Sequence, residues 1–145
     1  MQVYKIKSYA KINISLGILS KLKSKIHKIE SLFSFIGESE QIPPFFSALK
    51  YQGKPLYKYA REGRFIMKPA RKILIKEIND YKYSNKVCSF TVCCTKGTYI
   101  RSLAHDFGQH LNSGAHLSVL RRTKIGDFSV ENGQSIDEFV TSLEA

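Results

Sequence analysis

Residues 4–18, "YKIKSYAKINISLGI", alternate with a period of two, and no other feature narrows the possible folds as much. Ile6, Ala10, Ile12, Ile14, Leu16 and Ile18 share one face, while Lys5, Lys7, Tyr9, Lys11, Asn13 and Ser15 line the other. Successive side chains of a strand point to opposite faces, so the pattern predicts a long strand with one wet face. A basic connection, "SKLKSKIHK", follows, and "IESLFSFI" (29–36) reads as a second strand able to pair back. Gly37 then starts a break, where Pro43–Pro44 forbid helix and most sheet pairing.

Further along, "PLYKYAREG" (55–63) has proline at its first position and Gly63 as a stop, the marks of a short helix. "RKILIKEI" (71–78) and "KVCSFTVCCT" (86–95) read as strands of a hairpin joined by a turn-rich loop, "NDYKYSNK". Ile100, Leu103, Ala104, Phe107 and Leu111 fall at helical spacing and form a core stripe; Arg101, His105 and Gly108 lie off it. "AHLSVLRRTKIGDFSV" is another strand, and "SIDEFVTSL" opens with a capping box from Ser135 to Glu138. Together these predict an α+β fold: a mixed, mostly antiparallel sheet with a few short helices.

Charge narrows the partners. The 23 basic residues against 12 acidic ones give +11, which favours a polyanion such as nucleic acid. A lysine-rich compositional bias would give the same excess. Residues 1–36 hold seven lysines and one acid. No apolar run is long enough for a membrane span, and nothing resembles a signal peptide, so no membrane is expected. Cys88, Cys93 and Cys94 are odd in number and lack metal-ligand spacing, which fits a reducing cytoplasm and no metal.

Two stretches, "QIPPFFSALKYQGKPLYKYAREG" and "KGTYIRSLAHDFGQHLNSGAHLSVLRRTKIGDFS", closely resemble the second half of the catalytic domain of TruB-type tRNA pseudouridine synthases. The likeness spans about residues 35–145, with its motifs in order. It implies a partial pseudouridine synthase domain over 37–145 that acts on the uridine at position 55 of the tRNA T loop, without a cofactor. Such chemistry breaks a C–N glycosidic bond and rejoins the base through carbon 5. It needs an aspartate, a cation to keep that carboxylate ionised, and surfaces that hold a flipped base. The resemblance gives Arg101 the role of that cation, Tyr99 that of the tyrosine beside the target base, and Leu120 a packing role at the site. Taken alone, the three read as a surface helix arginine, a strand-end aromatic and a core leucine. Lys50, Lys54, Lys58, Arg61, Arg121 and Arg122 are candidates for RNA phosphates, and Tyr51, Tyr57 and Tyr59 for stacking. A solvated lysine face over core tyrosines is the plainer reading of that segment.

The family's aspartate belongs to a Gly-x-Leu-Asp stretch that this sequence lacks, and none of Asp80, Asp106, Asp127 and Asp137 has that motif around it. No RNA-binding PUA domain, common in the family, is expected within these 145 residues. In place of the first half, "SYAKINISLGILSKLKSKIHKIESLFSFI" (8–36) resembles the N-terminus of IspE, the 4-diphosphocytidyl-2-C-methyl-erythritol kinase. That likeness would make Lys11 an active-site residue, with Asn13 and His27 near the cytidine. The expectation is thus a kinase-like strand–turn–strand segment over 1–36, a fusion seam near 34–37, and a synthase-like unit after it. Such a chain would be a tRNA pseudouridine synthase by family, inactive as it stands for want of the aspartate or in need of a second chain for the missing half. A catalytically silent tRNA-binding fragment or a non-functional remnant is the alternative, and a kinase role ranks last.

Overall fold

The computed structural model describes residues 9–18 and 30–144. The expected start of the first strand at 4–8, and His27, lie outside the described residues. The elements in order are β1 (Tyr9–Ile18), α1 (30–33), β2 (Gly37–Gln41), β3 (Lys50–Tyr51), β4 (Lys54–Pro55), α2 (Leu56–Arg61), β5 (Arg71–Ser84) and β6 (Val87–Thr95). They continue with α3 (Ile100–His110), β7 (Ala115–Ile125), β8 (Phe128–Ser129), a 3-10 turn (Val130–Asn132) and α4 (Ile136–Glu144). Six strands form one sheet in the order β2-β5-β6-β1-β7-β8, and β3 pairs with β4 in a separate hairpin. Every described pairing is antiparallel.

β1 behaves as its alternation predicts. Ile12, Ile14, Leu16 and Ile18 are buried, whereas Lys11 and Asn13 face solvent. The inward set joins Ile75, Ile78, Phe90 and Val92 of β5 and β6 in one core. α3 lies across that face and contributes Ile100, Leu103, Ala104 and Phe107, the predicted stripe, with Leu111 packed at its margin. Phe107 is fully buried and meets Phe35 and Phe90 edge-on at 6.3 and 6.5 Å. Gly108, read as lying off the stripe, is also buried.

Three expectations change. Residues 29–36 do not form a strand that pairs back: 30–33 are helical, and the Ser34 N–H donates to the Glu30 carbonyl at 3.0 Å. The cause is topological. β1 has β6 on one edge and β7 on the other, so no edge is left to pair with. Leu32 and Phe35, three residues apart, instead put one apolar side into the core. The hairpin-like opening is therefore replaced by a strand at the centre of the sheet. Second, the loop expected over "NDYKYSNK" is mostly strand. β5 runs on to Ser84, bulged between Asn79 and Lys82, because Tyr81 and Tyr83 alternate inward against the core. Only Asn85 and Lys86 turn, both at positive φ (47° and 63°), the pairing a tight hairpin favours. Third, Arg121 and Arg122 point to opposite faces: Arg122 stands across from Ile12 and Arg121 across from Asn13.

The capping box forms as the sequence predicts. The Ser135 N–H donates to Glu138 Oε2 at 2.7 Å, and the Glu138 N–H donates to Ser135 Oγ at 3.2 Å. These bonds hold the Glu138 carboxyl below its usual range. Ser135→Ala is expected to weaken α4 by about 1 kcal/mol, seen as faster amide exchange at Glu138; unchanged exchange would show that the box contributes nothing.

Candidate functional site

The site is built on the turn between β6 and α3. Gly97 takes φ +83°, a left-handed conformation that glycine adopts without strain, so the chain reverses tightly after β6. The Thr98 hydroxyl donates to the Thr95 carbonyl at 2.9 Å. Tyr99 is the N-cap of α3, with φ −89°, ψ 107° and no side-chain cap of its own. Its carbonyl accepts the first helical bond, from the Leu103 N–H at 3.0 Å.

Gln41, at the end of β2, is buried at 4% exposure and supplies what Tyr99 lacks. The Tyr99 N–H donates to Gln41 Oε1 at 2.7 Å, and Gln41 Nε2 donates to the Tyr99 carbonyl at 3.1 Å. The amide orientation follows from chemistry, since a backbone N–H can only donate and a carbonyl only accept. Arg101, exposed in the first turn of α3, donates through Nη2 to the Phe46 carbonyl at 2.8 Å. The segment 41–46 thus grips the turn at two points, with Pro43 and Pro44 between them.

Leu120 and Arg122 of β7 stand across from Ile14 and Ile12, on the sheet face that carries α3. Leu120 is 46% exposed there and is not core. A cavity of about 160 Å3 opens beside Arg122, lined also by Ile12, Cys94, Lys96, Thr98 and Ile125 among others. Tyr99, Arg101, Leu120 and Arg122 therefore share one side of the sheet. Arg121 and the two described kinase-like residues do not join them. Lys11 and Asn13 are on the opposite face, where Asn13 Oδ1 accepts from the Thr91 hydroxyl at 3.0 Å.

The lysine–tyrosine segment forms its own small unit of β3, β4 and α2. Tyr59 is core, and its hydroxyl donates to the Tyr51 carbonyl at 3.2 Å. Tyr51 packs edge-on against Tyr59 and carries Lys68 over its ring at 4.9 Å; Arg61 covers Tyr57 at 5.4 Å. Cations already occupy these ring faces. Lys54 is bonded to Glu62, whose carboxyl it holds below the usual range. Lys50, Lys58 and Arg61 are exposed.

Among the described residues no carboxylate pairs with Arg101 and no group of His, Cys, Asp or Glu is placed to hold a metal. Asp106, on the same helix, has its carboxyl raised by desolvation, with His105 opposing. Sequence reasoning missed Gln41 and the Phe46 carbonyl. A glutamine ahead of two prolines gives no local sign that it will be buried.

Comparison with known proteins identifies the lineage of this arrangement. Residues 13–100 match the family described as TruB family pseudouridylate synthase (N terminal domain), and residues 101–144 match the tRNA pseudouridylate synthase B C-terminal domain. The chain belongs to the TruB family of pseudouridylate synthases. It is 50% identical over 115 residues to tRNA pseudouridine synthase B of Flavobacterium johnsoniae, which covers 79% of this chain and 50% of that relative. The same-named protein of Wigglesworthia glossinidia brevipalpis is 45% identical over 130 residues, covering 90% of this chain and 38% of its own length. The chain thus spans half or less of the curated relatives it matches. Among solved structures, a Cbf5-Nop10-Gar1 complex aligns at TM-score 0.68 and 28% identity, over 84% of this chain and 32% of the other. An H/ACA RNP bound to a substrate RNA containing 2'-deoxyuridine aligns at TM-score 0.61 and 25% identity, over 86% and 30%. None of these supports the kinase likeness of residues 8–36, and the synthase match already begins at residue 13, inside β1.

Proposed function

We propose that this chain presents the substrate-side surface of a tRNA pseudouridine synthase, binds the T arm of tRNA there, and has no isomerase activity of its own. The observation that carries the reading is the gathering of Tyr99, Arg101, Leu120 and Arg122 on one side of the sheet, in a chain of the TruB family. Lys50, Lys58 and Arg61 would extend that surface toward the RNA backbone, and the +11 charge would draw the polyanion in. β1 would complete the sheet of the synthase unit from residue 37 onward. Exposed apolar residues at Leu120, Ile125 and Phe128 support a complementary chain lying on this side. No helix among the described residues is long and apolar enough to cross a membrane.

The test is a titration of a T-arm stem-loop against a scrambled-loop control at two salt concentrations. Loop-dependent binding that weakens with salt is expected. Arg101→Ala or Arg122→Ala should cost about tenfold, the loss of one or two charge-assisted contacts. Arg121→Ala, altering the opposite face, should leave the loop preference intact. Equal binding of both RNAs, abolished by salt, would show charge alone and sink the reading.

A further inference from the structure

We propose that Gln41 is the positioning residue of this site: its carboxamide closes a two-bond ring on the Tyr99 backbone and thereby sets where the Tyr99 phenol and the Arg101 guanidinium meet RNA. The inference rests on the function proposed above and goes beyond it, since no likeness to another protein assigns Gln41 a role. A carboxamide facing a peptide unit reproduces the donor and acceptor of a neighbouring strand. Its NH2 and C=O can satisfy a C=O and an N–H of the same residue at once without carrying charge.

The need arises at Tyr99. As N-cap its backbone is extended rather than helical, and its own side chain caps nothing. Its N–H would be orphaned without an outside acceptor, and an orphaned buried donor is costly. Its carbonyl already starts α3 through Leu103, so the second bond from Gln41 fixes the point at which the helix begins. Arg101 follows two residues later and inherits that position.

The clamp itself is anchored. Gln41 pairs with Arg71 in the β2–β5 ladder, so its backbone belongs to the sheet. Beyond it the two prolines fix φ and lead to Phe46, whose carbonyl receives Arg101. Shortening the side chain to asparagine would pull both atoms back by about one bond length and lose both bonds. Glutamate keeps the acceptor for the Tyr99 N–H but sets a second oxygen against the Tyr99 carbonyl. Protonated, however, a carboxyl group has one O–H donor and one C=O acceptor, and matches the carboxamide. Burial raises the pKa of such a carboxyl, and the facing carbonyl raises it further, so the protonated form prevails on the acid side. Arg71, across the ladder from Gln41, and Arg101 on α3 are cations on the elements it meets and would act in the opposite sense. Recovery at pH 5 therefore tests whether burial and the facing carbonyl outweigh them.

Gln41→Glu in the full chain, with Gln41→Met beside it, tests this. Loop-dependent T-arm affinity is measured at pH 8 and pH 5, each as a ratio to the unaltered chain, which removes the titration of the histidines. Protection of the Tyr99 amide against exchange is followed in the same samples without RNA. Gln41→Glu is expected to bind about tenfold more weakly at pH 8 and to recover to within about twofold at pH 5. Gln41→Met is expected to be weak at both. Tyr99 protection should fall and recover in step. Equal affinity ratios at the two pH values for Gln41→Glu, or unchanged Tyr99 protection, would overturn the proposal. So would a Gln41→Glu chain that unfolds as a whole when taken to pH 8, since Gln41 would then hold the fold and not the turn. If the unaltered chain shows no loop preference, the T-arm reading fails by itself, and the amide protection alone decides whether Gln41 clamps the turn.

Discussion

A Gly108→Ala chain is expected to melt roughly 10 °C below the unaltered one, corresponding to about 3 kcal/mol. Two effects of opposite sign compete. Alanine is favoured over glycine in a helix interior by about 1 kcal/mol, so propensity alone predicts stabilisation. A Cβ at this position, however, would sit 2.1 Å from the Ala115 nitrogen and 2.6 Å from the Gly114 carbonyl carbon. Both are backbone atoms and cannot swing aside as a side chain would. The Gly108 carbonyl also accepts from the Ser113 and Gly114 N–H groups at 3.1 and 3.0 Å, so helix and turn are bonded where they would have to separate. Moving the turn would shift the start of β7, where Ala115 pairs with Ile18 of β1. Steric overlap should therefore outweigh propensity. Thermal unfolding checks it, and an equal or higher melting temperature would mean that α3 and β7 have room to part.

Gly108 also marks the limit of what periodicity can read. Its place off the apolar stripe was visible, but its approach to a strand start seven residues later depends on how the intervening turn closes. The long alternation of β1, the stripe of α3 and the Ser135–Glu138 box were all legible, because each depends on contacts within one element or on a face that simply must be buried. The helix at 30–33 was not. "IESLFSFI" offers apolar residues to either period, and what decides is that β1 already has a strand on each edge. β5 was legible in retrospect, since Tyr81 and Tyr83 continue its alternation, but Asn79, Asp80 and Asn85 gave a stronger local turn signal.

The candidate site divides the same way. Tyr99, Arg101 and Leu120 came from a family likeness, and the structure puts them on one side of the sheet. That Arg121 and Arg122 must diverge follows from strand alternation once the strand is known. The Gln41–Tyr99 pair spans 58 residues and joins a side chain to a backbone, so no local pattern encodes it. The surroundings of the tyrosines in the 50–61 segment were hidden for a related reason. Lys68 lies over Tyr51, Arg61 over Tyr57, and Lys54 and Arg64 over Tyr59, and sequence order alone does not say which cation meets which ring.

Tritium release from tRNA carrying 5-tritiated uridine is expected to stay at background with this chain alone, at least about a thousandfold below a synthase that has its catalytic aspartate. Pseudouridine formation requires a group that acts at the sugar or base while the glycosidic bond breaks, and orientation alone cannot supply it. Arg101, the cation that the family likeness would pair with such a group, donates to the Phe46 carbonyl. Among the described residues none of the four aspartates pairs with Arg101. Asp80 lines a cavity with Asn13, Ser15 and Thr91, residues of the outward-facing side of the sheet. Asp106 is five residues from Arg101, about 140° around the helix at 3.6 residues per turn. Asp127 is in the turn between β7 and β8, and Asp137 is in the first turn of α4. Release above background that disappears in Arg101→Ala would show that a carboxylate does reach the guanidinium, and the chain would then have to be read as an enzyme. Release restored only when a second polypeptide carrying the Gly-x-Leu-Asp stretch is added would instead mean that Arg101 can leave Phe46 for a carboxylate supplied from outside. The bond to a main-chain carbonyl is neutral at its acceptor, so a carboxylate offers the stronger charge-assisted partner and the exchange is downhill.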